Sequence, residues 1–330
     1  MSQTLMSAEI SEAPEVFKRS TNMRLQAQEP RLKTLRAIYT VARGSSDAAA
    51  TAINYELMRL LRIPCTSLPP SVFSIGEGVT LDGCAVIVIS QSGESPDLVQ
   101  SARDAKAAGA LVIVMTNHPD APLMTYCDMA YSIEAGPERA VPATKTIIGT
   151  LGAAIGLMGL LGGARELAEA SGALQIDQST PSVFPTTDFQ RALTESSSIY
   201  VIGRGAGLGV AQEIALKIKE TCAIHAEAYS SSEVLHGPLQ LVTRGLTAIA
   251  IDLDQKAFSS SLETAADALA EHGADILRVG PKELGLRSNC ALQMAARALF
   301  LIYLQIEQAT RSLGLDPDSP KTLKKVTQTK

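Results

Sequence analysis

A displacement of 161 residues constrains the fold of this chain more than any other feature of its sequence. Adding 161 to Ile38, Tyr39, Gly44, Ile63 and Gly76 lands on Ile199, Tyr200, Gly205, Ile224 and Gly237, the same residue types in the same order without a gap. In each copy a short β-branched and aromatic run meets a glycine turn and then a helical pattern, so the chain reads as a duplicated domain. Its 330 residues suit two such domains, since one domain typically holds about 150 residues.

Taken in order, residues 6–18 have helical spacing and residues 26–37 form a charged connection. Residues 39–42 are a short strand ending in Arg43-Gly44-Ser45-Ser46-Asp47, where Asp47 or a neighbouring serine is expected to cap an Ala-rich helix running to Leu61. Residues 85–89 are a continuous apolar run, the signature of a strand covered by helices on both faces. That run ends in Ser90-Gln91-Ser92-Gly93-Glu94-Ser95-Pro96, with Ser95 and Pro96 read as the N-cap and first residue of a helix through Lys106. Strands at 111–115 and 129–133 follow. The second copy has strands at 199–202, 246–253 and 276–279, helices at 210–220 and 289–308, a Ser-rich loop holding His236, and a lysine-rich tail. Repeated strand, loop, helix and strand predict right-handed βαβ units.

The fold class is therefore α/β, with two domains that each carry a parallel sheet between helices. A hydrophobic fraction of 46%, aromatics at 4% and no Trp favour layers built from Ala, Val, Ile and Leu. The expected divisions are a helical segment at 1–30, a first domain at 31–165, a second at 190–312 and a tail at 313–330.

A net charge of −5 provides no global field for nucleic acid. The five cysteines are scattered and never form a Cys-x-x-Cys pair, which argues against disulfides and zinc and for a cytoplasmic location. Acidic residues stand where a signal peptide needs an apolar run, so no export is expected. Residues 146–164 are uncharged and long enough to cross a bilayer, but they contain six glycines and no companion span; they are read as a buried interdomain helix, with no membrane partner.

The Ser90–Ser95 loop puts hydroxyls between a strand's carboxyl end and a helix N-terminus, where open parallel sheets bind ligands and where a phosphate is well received. Serines are also common in loops that merely cap helices. A second hydroxyl pair, Ser45-Ser46, ends another strand of the same domain. Neither loop calls for a metal. The turn with Gly203, Gly205, Gly207 and Gly209 lacks a dinucleotide fingerprint, because Leu208 and Val210 occupy the places that need glycine; it reads as tight backbone passage. On the following helix Val210, Ile214 and Ile218 form an apolar stripe, with Glu213, Lys217 and Glu220 on an adjacent face. Spacing alone leaves open a solvated Glu/Lys face, and His236 reads equally as a loop or interface histidine. Together, His and Glu supply the acid/base pair that opens a sugar-phosphate ring and moves the proton beside its carbonyl without a cofactor.

Ser90–Ser95 as SQSGES, residues 215–238 as ALKIKETCAIHAEAYSSSEVLHGP, and the PKTLKKVT tail resemble the SIS (sugar isomerase) family. They are most similar to the isomerase half of glutamine–fructose-6-phosphate aminotransferase and to stand-alone SIS-type glucosamine-6-phosphate deaminases. The resemblance implies two flavodoxin-like domains in a homodimer with shared active sites. It implies that Ser45, Ser46, Ser90, Gln91, Ser92 and Ser95 hold the phosphate and sugar hydroxyls, and that Glu220 is the base between C1 and C2. It makes Lys217 the neighbour at the amino-bearing carbon, His236 the ring-opening residue from the partner subunit, and Lys325 the tail lysine that closes over the open chain. Val141 opens the substrate-lining turn, in which Ala143 replaces the aminotransferase serine. The sequence opens directly on the isomerase part, so the expected reaction is hydrolysis of glucosamine 6-phosphate to fructose 6-phosphate and ammonia. The alternatives are a galactosamine-6-phosphate deaminase, a deglycase, an aminotransferase isomerase-like protein and a non-catalytic phosphosugar sensor.

Overall fold

The structure is a computed structural model that describes residues 3–22, 29–162, 176–181 and 183–325. The described parts of Glu15–Glu138 and Lys145–Gln175 form one compact unit, and those of Met1–Pro14, Arg139–Thr144 and Ile176–Lys325 form another.

In the first unit, helix α1 (Leu5–Thr21) contributes its later turns and the strands are β1 (Ala37–Val41), β2 (Cys65–Ser67), β3 (Cys84–Ser90), β4 (Leu111–Thr116) and β5 (Met129–Ser132). They pair in the order β2-β1-β3-β4-β5, all parallel, with Ile38 opposite both Cys65 and Ala85, and Ile87 opposite Ile113. From Ala85 to Ile89 and along all of β4 every residue is buried, as the continuous Val/Ile runs require of strands covered on both faces. Helices α2 (Gly44–Leu61), α3 (Pro96–Ala107) and α4 (Lys145–Gly162) complete the layers. The strand order reverses direction between β1 and β3, which opens a crevice at their carboxyl ends.

Two expectations about helix starts need correction. Arg43, not Asp47 or a serine, is the N-cap of α2, and no side chain caps it; Asp47 instead accepts a bond from Ser67 Oγ at 3.2 Å. Ser95 is at the N-cap of α3 as expected, but its hydroxyl makes no capping bond. The apolar stretch 146–164 lies in α4 except for residues 163–164, which fall outside the described residues. Two of its glycines allow close packing inside the first unit: a Cβ on Gly149 would meet Val16 Cγ1 at 2.8 Å, and one on Gly152 would meet Phe17 O at 2.8 Å. Among the described residues no helix is long and apolar enough to cross a membrane.

The second unit repeats the plan with β6 (Ser198–Gly203), β7 (His225–Ser230), β8 (Thr247–Ile251) and β9 (Asp275–Val279), parallel in the order β7-β6-β8-β9. Around them lie α5 (Thr186–Glu195), α6 (Ala206–Lys217), α7 (Lys256–Glu271) and α8 (Ala291–Ser312). β2 and β7 escape the sequence pattern for a shared reason. Each is rich in Ser, Thr, His or Glu, so neither makes an apolar run, and β7 reads as part of a serine-rich loop. Asp318 of the tail accepts the backbone N–H of Leu5 at 2.9 Å and of Met6 at 2.8 Å, so the tail caps α1.

The glycine turn after β6 is a tight backbone passage. A Cβ on Gly203 would lie 2.2 Å from Gly207 O, and Gly205 has φ +58 with ψ −132 and would meet Phe258 Cε2 at 2.4 Å. Gly205→Ala is expected to cost about 1–3 kcal/mol of stability, read as a lower urea midpoint at unchanged slope.

Candidate active site

In the first unit the carboxyl edge of the sheet gathers the predicted hydroxyls. Ser45 and Ser46 open α2 just beyond β1, and Ser90 ends the neighbouring β3, with Gln91, Ser92 and Ser95 in the loop that follows. This loop is held from within. Ser90 Oγ accepts the Gly93 N–H at 3.1 Å, Ser92 Oγ accepts that of Glu94 at 3.3 Å, and Gln91 O accepts from Asn117 N at 3.2 Å. Gly93 takes φ +65, and a Cβ there would lie 2.5 Å from Ala121 Cβ, so the turn admits only glycine.

Across the crevice runs an ion pair that the sequence did not signal. Arg43, after β1, places both Nε and Nη2 at 2.9 Å from Asp97 Oδ2, in the first turn of α3. The charged fork ties together the loops on either side of the strand-order switch. Burial pushes the carboxyl of Asp47 above the usual carboxylate value, opposed by its bond from Ser67 and by the Arg43 charge. Two helix starts without side-chain caps and the hydroxyls beside them thus share this edge of the sheet, a setting that generally suits an anion.

In the second unit Glu213 and Lys217 are each only 1% exposed, which settles the choice between a solvated Glu/Lys face and an inward cluster. Helix α6 ends at Lys217 and gives way to one wider π-helical turn, Ile218–Cys222, of the kind found at functional sites. On that turn Glu220 comes back to Lys217, and Lys217 Nζ donates to Glu220 Oε2. On its other side Lys217 Nζ lies 3.7 Å from Glu213 Oε1, and this same oxygen accepts the hydroxyl of Tyr303, on α8, at 2.7 Å. The ammonium is thus held between two carboxylates, one buried and one partly open, with side-chain exposures of 1% for Glu213 and 22% for Glu220.

His236 follows the turn Glu233–Leu235 and is exposed. Among the described residues no hydrogen bond joins its ring to Lys217 or Glu220. Tyr200 OH steadies this loop by donating to Pro238 O at 3.1 Å. Val141 and Lys325 do come together: Val141 N donates to Asp318 O at 2.8 Å, and Lys325 Nζ to Ala140 O at 2.6 Å. The same turn is held by Glu9, whose carboxylate accepts from Ala140 N at 3.3 Å and from Arg139 N. Sequence reasoning missed Arg43, Asp97 and Tyr303 as parts of these clusters. A regular 161-residue offset would have drawn attention to Arg43, since it maps onto Arg204; nothing local marks Tyr303. Among the described residues no group of three or more His, Cys, Asp or Glu side chains is arranged to hold a metal ion.

The SIS domain family matches the chain twice, over residues 32–154 and 192–302. Among curated relatives, glutamine–fructose-6-phosphate aminotransferase of Clostridium perfringens is 27% identical over 98% of this chain and 58% of its own length. That of Pyrobaculum aerophilum is 31% identical over 89% of this chain and 52% of its own. The chain thus spans about half the length of the curated relatives it matches. Among solved structures, a Silicibacter pomeroyi protein provisionally assigned as a phosphosugar isomerase is 33% identical, with TM-score 0.81 over 96% of this chain and 100% of that one. The glucosamine-6-phosphate deaminase of Thermotoga maritima shares the fold at 20% identity, with TM-score 0.74 over 99% of this chain and 100% of that one.

Because Lys217 stands between two carboxylates in a dry interior, Lys217→Met alone is expected to cost about 3–5 kcal/mol, the penalty for breaking a buried pair. The pair of changes Glu213→Gln with Lys217→Met is expected to recover most of that loss, measured by equilibrium denaturation of the unaltered protein and the two variants.

Proposed function

The chain belongs to the SIS domain family, and from that membership we propose that it is a phosphosugar isomerase that deaminates glucosamine 6-phosphate to fructose 6-phosphate and ammonia. The observation that carries this reading is the buried Lys217 tied to the partly open Glu220 at a π-helical turn. Such a pair puts a carboxylate base beside a fixed ammonium in a site of restricted water access.

In this reading the first domain grips the substrate. Its phosphate lies on the Ser90–Ser95 loop and the start of α2, with Ser45, Ser46, Ser90, Gln91, Ser92 and Ser95 as donors. His236 takes the proton from the anomeric hydroxyl and returns one to the ring oxygen, which opens the ring. Its exposure and lack of a bond to Glu220 favour delivery from a second copy of the chain, in a homodimer with shared sites. Glu220 then removes the proton at C2 and an enolamine forms. Return of that proton to C1 gives the C2 imine, water adds at C2, and ammonia leaves. Lys217 steadies the charge that develops at the amino-bearing carbon, while Val141 and Lys325 line and close the open chain. No cofactor is needed for this sequence, and the reaction belongs in the cytoplasm.

A second reading is favoured by the curated relatives, which are aminotransferases of about twice this length. In it the same site runs toward glucosamine 6-phosphate when ammonia is supplied. The proton transfer is common to both. The remaining rivals, a galactosamine-6-phosphate deaminase and a deglycase, differ in the sugar epimer or the leaving amine, and a sensor would bind without turnover.

Incubation with glucosamine 6-phosphate and no glutamine is expected to release ammonia and fructose 6-phosphate in equal amounts. Absence of turnover across the hexosamine phosphates would sink the deaminase reading. Glu220→Gln is expected to bind the sugar phosphate normally while losing exchange of the C2 proton with deuterated water; undiminished exchange would remove Glu220 from its role. Ser90→Ala removes a hydroxyl and the loop's internal bond, and is expected to weaken phosphosugar binding about tenfold, the loss of one charge-assisted hydrogen bond, as read by calorimetry.

A further inference from the structure

We propose that Tyr303 is a positioning residue for the proton transfer, setting through Glu213 how strongly Lys217 is held against Glu220. This rests on the assignment of Glu220 as the base made above.

Two groups meet at one oxygen. Glu213 Oε1 accepts the Tyr303 hydroxyl at 2.7 Å and faces Lys217 Nζ at 3.7 Å. A short phenol bond to one oxygen of a carboxylate fixes where that group stands and how it is turned. On its other side the ammonium donates to Glu220 Oε2. The attraction between opposite charges falls with the inverse of their separation, so a shift in where Glu213 stands changes its hold on the ammonium. Without the phenol, Glu213 would lose a bond that orients it, and with it the set balance of Lys217 between the two carboxylates.

Tyr303 is suited to such a role and to no direct one. It is wholly buried in the middle of α8, whose apolar neighbours Ile302 and Ile306 are equally buried, so it touches no ligand. Helix α8 packs along α6, so the donor is mounted on a different element from the three charged side chains it governs. A buried ion pair gains little stability over well-packed apolar residues of the same size. Adding a precisely directed phenol to such a pair is better accounted for by orientation than by stability.

The test is a double-mutant cycle of Tyr303→Phe and Glu213→Gln in the full chain, with kcat and KM measured on whichever hexosamine phosphate the unaltered protein deaminates. Tyr303→Phe keeps the ring and its packing. It is expected to lower kcat about tenfold with KM changed less than twofold, and to lose most of this effect when Glu213 is already Gln. A kcat within twofold of the unaltered protein, a defect confined to KM, or losses that multiply independently in the double variant would each overturn the proposal while leaving the deaminase reading intact. Failure of the unaltered protein to turn over any hexosamine phosphate would overturn both. If Glu213→Gln does not fold, the division of the Tyr303→Phe effect between kcat and KM decides the matter alone.

Discussion

A sheet whose strands all run the same way must send every connection back across one face or the other, and this requirement organises the whole chain. Both sheets are parallel throughout. Each strand therefore delivers its following loop to the same edge, next to the start of a helix, and the place where strand order reverses leaves a gap between two such loops. The loops after β1 and β3 carry the hydroxyls for that geometric reason. Five of the six proposed donors there are serines, residues that accept and donate with little bulk.

The two copies have used the same edge differently. In the first, Arg43 is drawn across the gap to the buried Asp97. In the second, the matching Arg204 stays on its own side, donating to Ser230 Oγ at 2.7 Å and to Ser232. The loop after β8 there is acidic, with Asp252 engaged by Ser259 at 2.9 Å and Asp254 facing Arg287 at 3.4 Å. Such an edge is poorly disposed toward a phosphate. The buried charged cluster of the second copy lies instead at the end of α6, where Lys217 and Glu220 meet.

That displacement has a cost in stability that the fold meets with neighbours. Glu213 and Lys217 are removed from water almost completely, and their attraction offsets the loss of hydration only while every partner stays in place. The wider turn at Ile218–Cys222 and the hydroxyl of Tyr303 are what keep them there. The network is therefore fragile to single changes and tolerant of concerted ones, a pattern opposite to that of the Val/Ile layers of the sheets, where losses follow volume.

The duplication, the α/β class, the central strands and the hydroxyl loops were all legible in the sequence, because each rests on an interaction between near neighbours in the chain. Apolar runs declare β3 and β4, a glycine at a set offset declares each turn, and Glu213, Lys217 and Glu220 share a helix surface by their spacing. The strands β2 and β7 were not legible, since Cys65-Thr66-Ser67 is too short and His225–Ser230 too polar to make an apolar run. Nor were the partnerships of Arg43 with Asp97 and of Tyr303 with Glu213, which join residues 54 and 90 positions apart. Whether a Glu/Lys face is solvated or buried follows from what another helix places over it. Spacing determines which side chains stand together on one element; only the packing of distant elements determines the dielectric they stand in and the partner that orients them.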